Sequence, residues 1–436
     1  MIPNRAEHAY TALVLMPSLL RNVAALIAAV TILQLAGGLL GVRIPIAFTE
    51  AHSRTALGLV AASYSAGFMM GAMIATVLFA RVGHIRVYAA CAAIFSVTTL
   101  ALHFSDDIWY WGVARMIAGM SVALMFAAVE SWISYSIGRH ARGEVMSVYM
   151  VLTKGALALG PFLAFGYAPS GAEPWMIGAA LAALSMVPLC FTSAAQPDPP
   201  KAQPLALVEQ FATAPAAVIG CFGAGLVNGG VLALAPLYAS DHYGANAAAE
   251  FYSAAFTGSL LLQWPAGRLS DRIDRRLVIA GLAALAAASS FALAIWSGQL
   301  LSWSAVLLFF FWGAGALSFY GIAVAHMADR AEPGKLAQSA AGLLFVWAAG
   351  SVIGPLVMGP LVDWFDVAGM FWFAGGAALF VCLAMFWRRS TRRGPVTKEE
   401  FAPQLGTSVA AGEIAYGEED KANDDAAAIA AANNPR

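Results

Sequence analysis

Lys154-Gly155-Ala156-Leu157-Ala158-Leu159-Gly160-Pro161 ends in a pair that returns as Gly354-Pro355, 194 residues later (354 − 160 = 194), preceded there by Gly350. Gly119 recurs at the same spacing as Gly313, and Gln34 recurs as Asn228. Self-similarity over half a chain means that one half encodes a unit which the other half encodes again. In an apolar chain, duplication on this scale points to a transporter whose substrate sits between the repeats.

Of the 436 residues, 60% are apolar and 11% charged, against roughly 45–50% and 25% in a soluble domain. A soluble core of this length cannot hide so much apolar surface. Runs of about 20 apolar residues with few charges are the signal of a membrane span. Twelve begin near Val23, Ala56, Val87, Ile108, Val145, Pro174, Pro215, Glu250, Leu277, Trp303, Leu336 and Val367. None alternates strictly, so each reads as a helix rather than a barrel strand. The expected fold is an all-α membrane protein of twelve transmembrane helices in two six-helix pseudo-symmetric halves.

Net charge is −1, but its distribution is informative. With a cytoplasmic N-terminus, 20 of the 24 Lys and Arg residues fall on the cytoplasmic side, Arg43 and Arg54 fall outside, and Arg115 and Lys154 lie within spans. The excess of basic residues on one side places both termini in the cytoplasm. Residues 1–22 hold no cleavable signal peptide and read as a cytoplasmic N-terminal segment. The first bundle is expected over 23–194, a proline-rich cytoplasmic linker over 195–214, and the second bundle over 215–387. Residues 388–436 open on Arg388, Arg389, Arg392 and Arg393, which anchor the last helix, and continue as an acidic, alanine-rich tail expected to stay disordered. The four cysteines lie in apolar spans at a spacing that suits packing rather than a disulfide or metal site.

A charge at the centre of a membrane helix costs roughly 2.5–3.5 kcal/mol on insertion scales, so it faces a cavity or a partner. Arg115, Lys154, Glu130 and His326 fall in this class. Arg115 begins an R-x-x-x-G pattern with Gly119 one turn further, about 10 Å below the outer end of its span. It either reaches polar groups across a close helix contact or snorkels outward. Lys154 lies near mid-bilayer and needs a substrate carboxylate, a freed carbonyl or an acid as partner. Glu130 and His326 end the fourth and tenth spans, as an inner gate, a proton relay or plain interfacial caps. Gln34 and Asn228 present amides near the midplane from equivalent helices, as substrate contacts or interhelical hydrogen bonds. Gly155, Gly160 and Pro161, with Gly354 and Pro355, give the fifth and eleventh helices small faces and freed carbonyls, for packing or for hinges at the contact between halves.

No phosphate-binding G-x-x-x-x-G-K-[ST] loop, nucleophile elbow, metal cluster or paired catalytic carboxylates occur in the sequence. ATP, a cofactor, a nucleic-acid partner and an enzymatic role are therefore not expected.

The loop at Gly267-Arg268-Leu269-Ser270-Asp271-Arg272-Ile273-Asp274-Arg275-Arg276 resembles the major facilitator signature G-x-x-x-D-R-x-G-R-R, with Asp274 in place of the second glycine. A first-half copy, Arg81-Val82-Gly83-His84-Ile85-Arg86, keeps the basic turn, with Ala80 for the aspartate and Thr76 for the first glycine. The likeness spans about residues 20–390. Within that superfamily the chain looks like the YcaD-like branch of the bacterial inner membrane, through Gly83-His84-Ile85-Arg86, Val129-Glu130-Ser131-Trp132, Arg142-Gly143, Ser147-Val148-Tyr149-Met150, and Ala325-His326 with Asp329. The resemblance implies a cavity lined by the first, fourth, seventh and tenth helices. It further implies a proton-linked arginine at Arg115 and a cytoplasmic conformational latch comprising Arg81, Gly83, Arg86, Gly267, Asp271, Arg272 and Arg276.

The expected activity is secondary transport of a small solute by alternating access, coupled to protons, in a monomer within the lipid bilayer; the embedded Arg115 and Lys154 against Glu130 favour an anionic solute. Export by antiport is favoured over uptake by symport, because glycine-proline patterns on the fifth helix occur in antiporters of the family. A non-transporting membrane sensor whose acidic tail binds a partner is the competing class. Deleting residues 398–436 separates the two: transport in reconstituted vesicles survives the deletion, whereas a tail-dependent scaffold fails.

Overall fold

The computed structural model describes the backbone of residues 5–136, 139–167, 171–192, 207–244, 246–331 and 336–391. Every regular element among these residues is helical. In lipid only a helix or a closed barrel satisfies the backbone polar groups. The first half runs α1 (Arg5–Thr49), α2 (Arg54–Val82), α3 (His84–Ala101), α4 (Ile108–Ser136), α5 (Arg139–Leu159), a 3₁₀ turn (Gly160–Ala164), α6 (Glu173–Ser185) and α7 (Val187–Cys190). A short α8 (Leu207–Thr213) occupies the end of the linker. The second half runs α9 (Pro215–Tyr243), α10 (Ala247–Arg272), α11 (Arg275–Ile295), α12 (Ser302–Ala316), α13 (Phe319–Ala328), α14 (Leu336–Phe365) and α15 (Ala368–Thr391). The expected N-terminal segment is, from Arg5 onward, the beginning of α1. The acidic tail beyond Thr391 lies outside the described residues.

Counting α6 with α7 and α12 with α13 as single spans leaves twelve, six in each half. Eleven of them are long and apolar enough to cross a membrane. The twelfth, α10, is not, because Glu250, Ser253, Ser259, Gln263, Arg268, Asp271 and Arg272 dilute its apolar face. That polarity is used at the site described below.

Glycines give the duplication its physical content. A Cβ at Gly119 of α4 would collide with the carbonyl oxygen of Tyr64 on α2, and one at Gly313 of α12 would collide with that of Ala255 on α10. Gly160 presses in the same way on the Leu35 carbonyl of α1, and Gly354 on the Leu226 carbonyl of α9. Equivalent glycines thus hold equivalent helix pairs at backbone contact in both halves. Small residues permit this, and lipid supplies no hydrophobic force to substitute for it.

Gly160 and Gly354 therefore face the leading helix of their own half, not the boundary between halves. Gly155 meets open space and mediates no close approach. The two Gly-Pro copies also differ in form. In the first, the α-helix ends at Leu159 and a 3₁₀ turn takes over, whereas Pro355 and Pro360 lie inside the continuous α14.

The end of the bundle where α1 begins is here called proximal, the opposite end distal. At the distal end the halves meet through α2 and α14, where a Cβ on Gly58 would strike the Pro355 carbonyl and one on Gly359 would lie 2.7 Å from the Arg54 carbonyl. Arg54 also pairs with Asp241 of α9 at 3.3 Å. Deeper in, the Ser253 hydroxyl of α10 donates to the Ala158 carbonyl of α5, and Phe68 of α2 meets Trp347 of α14 edge-on at 6.1 Å. The distal end is closed.

Replacing Gly119 or Gly354 by leucine forces backbones apart, and overpacking of this kind costs about 1–3 kcal/mol or more. Both variants should show a clearly lower thermal midpoint in detergent. Gly155→Ala should leave it unchanged or slightly raised, since alanine favours helix and has room there.

Candidate functional site

Lys154 of α5 is 3% exposed, and a buried ammonium must find acceptors inside the protein. Its Nζ donates to Ser259 Oγ at 2.7 Å and to Gln263 Oε1, both on α10 of the other half. Ser259 and Gln263 stand four residues apart and share a helix face. Two of the polar residues that dilute the apolar face of α10 thus receive the lysine. Ser259 donates in turn toward the Leu317 carbonyl at 3.4 Å. Leu317 lies in the break between α12 and α13, where the tenth span loses helical continuity and frees a carbonyl. Interrupted helices of this kind are tolerated in a membrane where they line a site inside the protein.

Arg115 of α4 does not snorkel. Its guanidinium lies 4.0 Å from the centre of the Tyr64 ring of α2, and its buried Nε has no hydrogen-bond partner. Tyr252 of α10 is within electrostatic reach of both. Gly119, one turn along α4, closes on the Tyr64 carbonyl, so the same glycine contact that packs α4 on α2 sets the arginine on the ring. Gln34 and Asn228 are both buried, and Asn228 Oδ1 lacks a donor. Among the aromatic residues, Trp347 also meets Tyr320 of α13 at 6.0 Å, and the Tyr320 hydroxyl and Trp347 Nε1 are buried without partners. Orphaned polar atoms in a native interior call for an explanation, such as a water or ligand site.

Glu130 is buried and accepts a hydrogen bond from the Tyr149 hydroxyl of α5 at 3.1 Å. Tyr320, from the other half, is within its electrostatic reach. His326 is not joined to Glu130. Its ring contacts Arg330 Nη1 at 2.8–2.9 Å, one turn further along the chain. The two side chains make no direct contact with each other among the described residues.

At the proximal end of the second half, Arg275 is the hub. It is 1% exposed and forms a two-pronged pair with the equally buried Asp329, Nε to Oδ2 at 2.8 Å and Nη2 to Oδ1 at 3.1 Å. It also reaches Ser270 Oγ at 2.9 Å and Asp271 Oδ1 at 3.1 Å. Arg276 holds Asp274 at 2.7 Å and donates to the Arg388 carbonyl of α15 at 2.8 Å. Asp274, where the signature has glycine, accepts from the Arg276 backbone N–H and caps α11. Burial would raise its carboxyl, but the Arg276 side-chain and backbone hydrogen bonds outweigh this and hold it below the usual carboxylate value. Gly267 is buried in α10 and its carbonyl accepts from Ser270. Arg81, Arg86 and Arg272 are exposed, with no hydrogen bond or ion pair among the described residues. Gly83 sits at φ +88° and makes the turn from α2 to α3.

Ser259, Gln263, Tyr252 and Asp363 carry contacts that no pattern in the sequence announced. For Ser259, Gln263 and Tyr252 the available signal was the unusual polarity of α10, and Asp363, on α14, had none. Arg275 is visible in the signature, but its pairing with Asp329, 54 residues away, is not.

The sequence pattern of the Major Facilitator Superfamily matches residues 26–256 and 248–419. The MFS-type transporter YcaD of Salmonella newport (strain SL254) is 29% identical over 342 residues, covering 77% of this chain and 87% of YcaD. YcaD of Salmonella typhi aligns with the same values. The crystal structure of the nucleoside transporter NupG superposes with a TM-score of 0.70 at 13% identity, covering 85% of this chain and 99% of NupG. That of a D-xylose-proton symporter gives 0.65 at 14% identity, covering 91% and 99%. Both share the fold.

Removing one partner of a buried ion pair costs about 3–5 kcal/mol, against at most about 1 kcal/mol for an exposed pair. Asp329→Ala should therefore lower the thermal midpoint far more than Asp271→Ala, whose side chain is 28% exposed. Differential scanning fluorimetry on the two variants measures this.

Proposed function

Because this chain belongs to the Major Facilitator Superfamily and is a multi-pass membrane transporter of that family, we propose that it moves a small anionic solute by alternating access, coupled to protons. The observation that carries the reading is the pair of embedded cations. Lys154 has only uncharged acceptors, Ser259 and Gln263, and Arg115 has only the Tyr64 ring. Among the described residues neither has a carboxylate partner. A carboxylate or other anionic group entering between the halves supplies the missing counter-charge and reaches the guanidinium in a charge-assisted contact.

Arginine does not release its proton in proteins, so Arg115 acts as a fixed charge. Proton exchange falls to Glu130, held by Tyr149 beside Tyr320, and to the Lys154 amine. Each charge moved through the membrane potential brings roughly 2.3 kcal/mol per 100 mV. In the proposed cycle the solute draws Lys154 away from α10, which frees α5 to move with its own half. The termini and the Arg275 cluster lie at the cytoplasmic face of a bacterial inner membrane, following the distribution of basic residues. The distal end, shut in this structure, is then the outer one. The protein works as a monomer, and export in exchange for protons is the proposed direction.

A thermal-shift screen of carboxylates and phosphorylated or sulfonated solutes on purified protein tests the substrate class. An anion that raises the midpoint of the wild type and fails to do so with Lys154→Ala and Arg115→Ala is the expected result; stabilisation by neutral or cationic solutes alone refutes it. Counterflow of the hit in vesicles under an imposed pH gradient then reports direction. Accumulation when the interior is acid means antiport, and accumulation when the exterior is acid means symport.

A further inference from the structure

We infer that Asp363, at the distal end of α14, is the latch that holds this end shut, by capping the first turn of α2 from across the boundary between halves. A helix begins with N–H groups that have no partner within the helix. In α2 the hydroxyl of Ser53 takes the Ala56 N–H at 3.2 Å. The two N–H groups before it go to the other half: Arg54 N–H donates to Asp363 Oδ1 at 3.2 Å and Thr55 N–H to Oδ2 at 2.8 Å. The Thr55 hydroxyl adds a third hydrogen bond to Oδ2 at 2.6 Å. A single carboxylate thus closes three donors of one half from a helix of the other.

The carboxylate suits this place for two reasons. Negative charge is favoured at a helix N-terminus by the aligned peptide dipoles, and hydrogen bonds to an ionised acceptor are stronger than neutral ones. Geometry makes the contact specific to the closed state. Gly359, four residues before Asp363, lies against the Arg54 carbonyl and the Thr55 Cα, and a Cβ there would stand 2.7 and 3.1 Å from them. The side-chain-free seam brings α14 close enough for the next turn to deliver its carboxylate. When the halves part at this end, all three bonds pass to water together. The neighbouring pair Arg54–Asp241 is a single contact, exposed on both sides at 40% and 42%; Asp363 is exposed as well, and what sets it apart is that one carboxylate receives three hydrogen bonds, two of them from backbone N–H groups.

The inference rests on alternating access as proposed above, but on neither the solute nor the coupling ion. Its test is a distance measurement between spin labels at the distal ends of α4 and α12, at Asp106→Cys and Ser302→Cys, in an otherwise cysteine-free protein in nanodiscs. Asp363→Ala should raise the fraction of the long-distance, open population about five-fold or more, as expected for loss of a capping side chain, and Asp363→Asn, which keeps one acceptor oxygen, should raise it less. Thr55→Val should give a smaller rise. Asp241→Asn and Glu50→Gln, which remove a charge at the same end without touching the cap, should change it little. A distribution left unchanged by Asp363→Ala in a protein that still elutes as a single species overturns the latch. So does an equal response to Asp241→Asn, which would assign closure to general electrostatics. If Lys154→Ala and Gly58→Leu also leave the distances fixed, alternating access itself fails; if they move the distances while Asp363→Ala does not, only the latch is lost.

Discussion

Lipid offers no partner to a buried polar group, and that constraint organises this molecule. Lys154, near the middle of the fifth span, must find its acceptors inside the protein, and it finds them on α10 of the opposite half. The contact explains why α10 carries Ser259 and Gln263 on one face, and Ser259 also lies beside the carbonyl left free at the break between α12 and α13. One charge therefore accounts for two of the polar side chains on a neighbouring helix. It also makes the boundary between halves a polar one, which water and a solute can enter at less cost than an apolar seam.

The second organising element is the absence of side chains at chosen places. Gly119 and Gly313, Gly160 and Gly354, each let two helices of one half meet backbone to backbone. Such contacts make each half a firm body, because close-packed surfaces do not deform gradually. The halves touch through a different set, with Gly58 and Gly359 at the distal end and single polar contacts deeper in. Firm bodies that meet along one glycine seam and a few polar and aromatic contacts suit the alternating access proposed above. The buried Arg275–Asp329 pair belongs to the firm part, since it ties the loop after α10 to the end of α13 within one half.

Much of this was legible in the sequence. The twelve apolar runs, the 194-residue repeat and the loop from Gly267 to Arg276 identify the helices, the two halves and the family, because span length and the cost of charge in lipid are one-dimensional constraints. Arg115, Lys154 and Glu130 were conspicuous for the same reason. Their partners were not. A serine, a glutamine or a tyrosine in a membrane helix is too cheap to stand out, so Ser259, Gln263 and Tyr64 became meaningful only when folding placed them against a charge. Glu130 and His326 illustrate the converse: similar positions along equivalent spans left a gate, a relay or interfacial caps open, and only the structure sets the ring of His326 against Arg330.

The sequence alone determined that this chain is a duplicated helical membrane protein and which of its residues are costly to bury, since both follow from composition read along a line. Only the tertiary structure decided that Gly160 and Gly354 serve packing within a half, that Lys154 answers to α10, and that Asp363 caps a helix it is 308 residues away from at Thr55. Those outcomes depend on the rotation and depth at which helices meet, and a helix face has no address in sequence until its neighbour is in place.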